Sequence, residues 1–169
     1  NEIMKRPTAH STHGVVLLST VATQSLVIFW VKVFPSLPAG LLIAVVSLGI
    51  FYYLIGMTLI VLRYARGNPW TMIEDWTSAN CIIHGALSIT GLAIVSSQLM
   101  SGMFIMIFWL IVFVLLISVE LMEMVRAVKR IQKLGWKKGV FTYHISQWSR
   151  NFTFGMFYAF TITMHENPH

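Results

Sequence analysis

The stretch from Ala79 to Met100, ANCIIHGALSITGLAIVSSQLM, contains no Asp, Glu, Lys or Arg. As a helix rising about 1.5 Å per residue, it is long enough to cross a hydrocarbon core of ~30 Å. Its composition is unusual for a helix that faces lipid, because His84, Ser88 and Gly91 share one stripe. Its small residues let other backbones approach closely. The stretch therefore predicts a membrane helix that packs against other helices.

The rest of the chain has the same apolar character. Of its 169 residues, 56% are hydrophobic and 11% are charged, and the mean hydropathy is +0.72. These values exclude an ordinary globular domain and indicate an all-α integral membrane protein. We predict about five transmembrane helices in a single domain, residues 14–164, between a polar N-terminal tail, 1–13, and a C-terminal tail, 165–169. The predicted spans are 14–34, 40–62, 79–100, 102–123 and 148–164.

The charges follow a sidedness pattern. If the chain crosses five times, Lys32 alone among the twelve lysines and arginines lies on the side opposite the N-terminus. This asymmetry predicts a cytoplasmic N-terminus in a cell inner or plasma membrane. It also favours the lipid bilayer as the partner of the basic cluster, and not nucleic acid. Glu120 and Glu123 end the fourth span, where we predict solvated carboxylates within reach of Arg126.

Polar and small residues are concentrated in the odd-numbered spans, whereas the second and fourth spans are aliphatic and aromatic on all faces. A polar side chain at membrane depth needs a partner or a wet cavity. We therefore predict inner odd helices that line a pore and outer even helices. The predicted pore-lining residues are Thr20, Thr23, Gln24, His84, Ser88, Asn151 and Tyr158. The alternative is that the hydroxyl groups bond back to their own helix and the glycines only pack.

His84 is the only histidine well inside a predicted span. It could be a proton-sensitive pore residue, an axial haem ligand together with His144, or a packed side chain bonded to a hydroxyl. The sequence has no nucleophile beside a base, no paired carboxylates within a span and no metal-ligand spacing. We accordingly predict no enzymatic activity, no cofactor and no metal.

Three segments of the odd spans carry a family resemblance: LLSTVATQSLVIFW at 17–30, WTSANCIIHGALSITGLA at 76–93 and QWSRNFTFGMFYAFT at 147–161. They resemble the fifth, seventh and ninth helices of the tellurite-resistance/dicarboxylate transporter family, which is related to the slow-type anion channels. The resemblance covers most of this chain and about half of a family member. Because the chain also starts at Asn1 and not at methionine, we expect it to be part of a longer protein.

Family members have ten helices, with the odd ones forming a central pore and the even ones outside, usually as trimers. The resemblance thus implies a homo-oligomeric channel or transporter for small anions such as a C4-dicarboxylate, sulfite, tellurite or an inorganic anion. It also implies that a phenylalanine gates the pore, here Phe154 beside Gly155, with Phe152 as the register alternative. A non-catalytic transmembrane subunit of a larger complex, possibly haem-associated, is the alternative function.

Overall fold

The computed structural model describes residues 14–34, 36–66, 76–100, 102–140 and 147–166. These residues form five α-helices and contain no β-strand. Single 3-10 turns, Gly14–Leu17 and Ser78–Cys81, lead into the first and third helices. The helices are α1 (Leu18–Val33), α2 (Ala39–Arg66), α3 (Ile82–Ser96), α4 (Gly102–Val140) and α5 (Gln147–Glu166).

Four stretches are long and apolar enough to cross a membrane, and each contains one of the first four helices. They are Gly14–Val33, Ala39–Ala65, Ser78–Ser96 and Gly102–Lys133. This arrangement is compatible with a membrane protein and confirms the all-helical fold class. α5 is a continuous helix of 20 residues, but the polar groups in its first turns keep it outside this set. A fifth crossing stays a prediction.

α3 is the central helix of the bundle. In its apolar part 83% of the residues are buried in the protein, against 28%, 28% and 22% in the first, second and fourth of these stretches. It packs most extensively against α5 and α1, and also against α4 and α2. Small residues permit this close packing, since a Cβ atom added at Gly85 would lie 2.7 Å from Thr153 Cβ. A Cβ at Gly91 would likewise meet the Phe160 ring.

These two contacts also set the direction of α5. Gly85 faces Thr153 and Gly91 faces Phe160, so α3 and α5 run parallel. Against α4 the order is reversed, because Arg150 bonds to Glu120 whereas Thr161 bonds to Trp109. α5 therefore lies antiparallel to α4 and at the same level as the apolar helices.

Polar contacts join the helix ends at one end of the bundle. The Gly14 N–H donates to Asn80 Oδ1 (3.0 Å), and Asn80 Nδ2 donates to the Tyr64 hydroxyl (2.7 Å). Trp76 Nε1 donates to Glu123 Oε1 (3.0 Å). This end also carries the described basic side chains of α2, α4 and the start of α5, whereas Lys32 lies at the far end of α1. We call it the basic end.

Several helix ends differ from the bounds of the predicted spans; α2, for example, continues to Arg66 and not only to residue 62. α4 does not stop near residue 123 but continues to Val140, because its Glu, Lys, Arg and Met residues are good helix formers outside an apolar environment. It is interrupted only at Gly135, whose φ of 77° is left-handed. α3 ends at Ser96 and not near residue 100. Two residues after this end, Gln98 has a positive φ of 52°.

Candidate functional site

His84 lies on α3 with no solvent-exposed surface. Neither ring nitrogen has a hydrogen-bond partner in the described part of the protein. Its nearest aromatic neighbour is Phe154 of α5, with ring centroids 6.1 Å apart and planes at 60°. A buried imidazole with two unpaired nitrogens can donate one hydrogen bond and accept another. It is therefore a site where a polar species can be held in an otherwise apolar bundle.

Phe154, the predicted gate, lies between a cation and this histidine. The guanidinium carbon Cζ of Arg150 lies 5.8 Å from the centroid of the Phe154 ring, within the range of a cation–π contact. Phe154 is 38% exposed. A Cβ atom added at the adjoining Gly155 would have no neighbour within 4 Å. Phe154 therefore contacts the guanidinium and the imidazole while part of its surface stays exposed.

Arg150 is itself held by α4. Its Nε donates to Glu120 Oε1 at 3.1 Å, and its second guanidinium nitrogen pairs with Glu120 Oε2. This two-point geometry fixes the guanidinium plane more firmly than a single bond would. Four side chains thus follow one another in space: Glu120, Arg150, Phe154 and His84. We call this set the gate stack.

A second polar group lies between α1 and α2. Gln24 is fully buried, and its Nε2 donates to the Val46 carbonyl at 3.1 Å. Within the described part of the chain its Oε1 has no hydrogen-bond partner, and neither has the hydroxyl of Thr20, which lies one turn earlier and is also fully buried. Gly49 makes room for the amide, because a Cβ atom there would clash with it. Gln24 therefore points toward α2, an even-numbered helix.

The other predicted pore-lining residues divide into two kinds. The hydroxyl groups of Thr23 and Ser88 donate to carbonyls of their own helices, Ser19 and Thr20 for the first and His84 for the second. This is the alternative that the sequence analysis left open for such residues. Asn151 and Tyr158 lie on the exposed face of α5, Tyr158 at 68% exposure. Whether any of these residues lines a pore stays a prediction.

The structure brings His84 and Phe154 together, with Ser88 one turn along α3. It does not place Thr20 and Gln24 in that stack. His144, the second histidine of the haem alternative, lies outside the described residues, as do most of the two tails. Among the described residues no group of three or more His, Cys, Asp or Glu side chains could hold a metal ion.

Sequence reasoning missed the role of two carboxylates. Glu123 was predicted to be solvated, but it is 9% exposed and accepts from Trp76, while its pairing with Arg126 (3.5 Å) is confirmed. Glu120 pairs with Arg150 of another helix. The only sequence signal was that both glutamates are unusual so close to an apolar run. Spacing along one helix could not show a partner 30 residues away.

In comparisons with family models, curated proteins and solved structures, none matches this chain.

Proposed function

We propose that the chain forms part of a membrane channel or transporter for small anions, with Phe154 as an aromatic gate. The observation that carries the proposal is the gate stack, in which the ring is placed between the Arg150 guanidinium and His84. An aromatic ring at a constriction blocks or dewets a narrow pore. Gly155, next to Phe154, has no side chain, and a Cβ atom there would meet no atom of another helix within 4 Å.

The order of the odd-numbered helices supports a pore wall. α1, α3 and α5 all run from the basic end, and α3 packs extensively against both others. Among the described residues α1 and α5 make at most marginal contact with each other, so the three helices form an arc. In the proposed assembly α5 is the fifth crossing, and further helices complete the ring on its exposed face. The even helices α2 and α4 then lie outside.

We expect the arc to attract anions through N–H donors that carry little net positive charge. His84 and Arg150 can each direct N–H groups toward a ligand, and the charge of Arg150 is largely balanced by Glu120. A balanced cation attracts an anion less tightly than a free one, which allows the ion to leave.

The test is ion flux in liposomes that contain the purified protein. We expect anion efflux to increase severalfold in Phe154→Ala, because the ring no longer blocks the path. Phe51→Ala is the matched control, since Phe51 is 57% exposed on α2 and should leave the flux unchanged. An increase in Phe152→Ala alone would move the gate to the register alternative. Absence of flux in the wild type and in all three variants would contradict the proposal.

A second candidate function is a non-catalytic transmembrane subunit of a larger complex. The observation that favours it is the exposed face of α5, where Trp148 and Tyr158 are 65% and 68% exposed beside the amide of Asn151. Such a polar and aromatic face suits a protein partner better than lipid tails. Stoichiometric co-purification of other membrane proteins would favour this function, whereas a self-contained homotrimer would exclude it. A Soret band in the visible spectrum would mark its haem-associated form.

A further inference from the structure

An apolar groove with a volume of about 470 Å³ lies between α2 and α4. The two helices make at most marginal contact with each other among the described residues, and Ile83 of α3 forms part of the floor. Its walls are almost entirely aliphatic and thioether side chains: Met57, Ile60 and Val61 on α2, and Leu115, Val119 and Met122 on α4. The volume falls within the range of about 300–1,000 Å³ that small-molecule sites occupy.

The groove changes character at its basic end. Tyr64 and Trp76 line it there with their rings 5.7 Å apart. Aromatic residues of this kind are typical of the level where lipid headgroups meet the hydrocarbon. The groove is therefore apolar where acyl chains would lie and amphipathic where a headgroup would lie.

Each of the two helices carries an arginine near this end: Arg63 adjoins Tyr64, and Arg126 follows Met122 by four residues. Arg63 lies on α2 with its Cζ 5.5 Å from the Tyr64 ring centroid. Arg126 lies on α4, where it donates to the Ser78 hydroxyl at 3.3 Å. Glu123 offsets part of this charge, but its carboxylate is occupied by Trp76 and Arg126. Lys129, Arg130 and Lys133 continue the positive charge along α4.

We propose that this groove is a binding site for an anionic phospholipid of the bilayer. One acyl chain lies along the aliphatic walls, and the phosphate lies between Arg63 and Arg126. Guanidinium groups suit a phosphate because they donate two parallel hydrogen bonds. Basic pockets between membrane helices recognise anionic headgroups for this reason. The proposal rests on insertion of these helices in a membrane, and not on anion transport.

The test measures which lipid stays with the protein. The wild type is reconstituted with equal amounts of phosphatidylglycerol and phosphatidylcholine, extracted in mild detergent, and its retained lipids are counted by native mass spectrometry. We expect about one phosphatidylglycerol per chain, in excess over phosphatidylcholine. Charge removal in Arg63→Gln and Arg126→Gln should each lower this preference roughly fivefold. Lys32→Gln, at the opposite end of the bundle, is the matched control and should not change it.

A second pair of variants tests the acyl-chain part of the groove. Ser118→Trp fills the groove, whereas Val114→Trp adds the same ring one turn earlier, where Val114 is 60% exposed and does not line the groove. We expect lipid loss in the first variant alone. If Ser118→Trp does not fold, the arginine variants still decide the question. Equal retention of both lipids, or a second protein chain cross-linked over Ser118, would overturn the proposal, whether or not the protein conducts anions.

Discussion

Gly85 permits a close contact between α3 and α5. A Cβ atom there would lie 2.7 Å from Thr153 Cβ and 3.4 Å from the Thr153 backbone Cα, so α5 would have to move away from α3. We expect Gly85→Val to lower the free energy of unfolding by about 1–3 kcal/mol, the usual cost of overpacking a dense interior. Denaturant titration of the protein in mixed micelles measures this value.

The chain supplies a matched control for this substitution. Gly155 lies on α5, and a Cβ atom there would have no neighbour within 4 Å. Gly155→Val should therefore leave the stability almost unchanged, while it narrows the space beside Phe154 and lowers anion flux. Equal loss of stability in both variants would show that valine acts on the helix backbone and not on the Gly85–Thr153 contact.

The sequence predicted which polar residues need a partner, but not toward which helix their side chains point. The sequence identified Gln24 and His84 as polar groups that need a partner, and both are fully buried. It did not show that the Gln24 amide crosses to the Val46 carbonyl of an apolar helix. That direction depends on Gly49 lying opposite the amide, a contact between two helices that the periodicity of either one does not contain.

At the scale of a helix, Trp109 explains how α5 is docked. It lies about two turns inside α4, and not at the end of the helix, where tryptophan usually anchors a membrane helix. Its Nε1 donates to Thr161 Oγ1 at 2.9 Å, and its ring stacks on Phe157 with centroids 5.6 Å apart. Trp109 is therefore a contact residue between α4 and α5.

We expect Trp109→Leu to loosen α5. Loss of the stacked rings and of one hydrogen bond at membrane depth should cost about 1–3 kcal/mol. Amide hydrogen exchange of residues 147–166 should become faster, with little change in α1. Thr161→Val separates the hydrogen bond from the stacking, and Trp148→Leu, at a site 65% exposed, is the control. Unchanged exchange in Trp109→Leu would show that the packing of α5 does not depend on the Trp109 contact.

Helix boundaries were predictable only where the physical signal is a change in hydropathy. The start of α4 at Gly102 agrees with the sequence, because the apolar run begins there. Its end does not, since a membrane helix can continue into a charged segment without any change in backbone geometry. The bounds of α5, Gln147–Glu166, lie within two residues of the predicted segment 148–164, although its first turns contain Gln147, Ser149 and Arg150.

At the scale of the whole molecule, composition predicted an inner layer of odd helices and an outer layer of even helices. The buried fraction of each helix gives a different order. The apolar stretch that contains α3 is far more buried than the stretch that contains α1, although both contain polar residues. Composition shows which helices tolerate a polar environment, but the number of neighbours depends on chain order. α3 is the middle one of the five described helices, so helices from both sides of it in the sequence can pack around it. An inner role for α1 and α5 therefore requires further helices on their exposed faces.

The orientation of the whole bundle follows from its basic end. If that end is cytoplasmic, as the positive-inside rule predicts, Lys32 and Lys133 lie on opposite sides of the membrane. The chain has one cysteine, Cys81, which is 1% exposed, so the wild type should not react with a membrane-impermeant maleimide. In intact cells Lys32→Cys should be labelled, and Lys133→Cys only after permeabilisation. The reverse pattern would show that the orientation is the opposite of the one predicted. Labelling of both cysteine variants from the same side would contradict the crossing of the helices between the two positions.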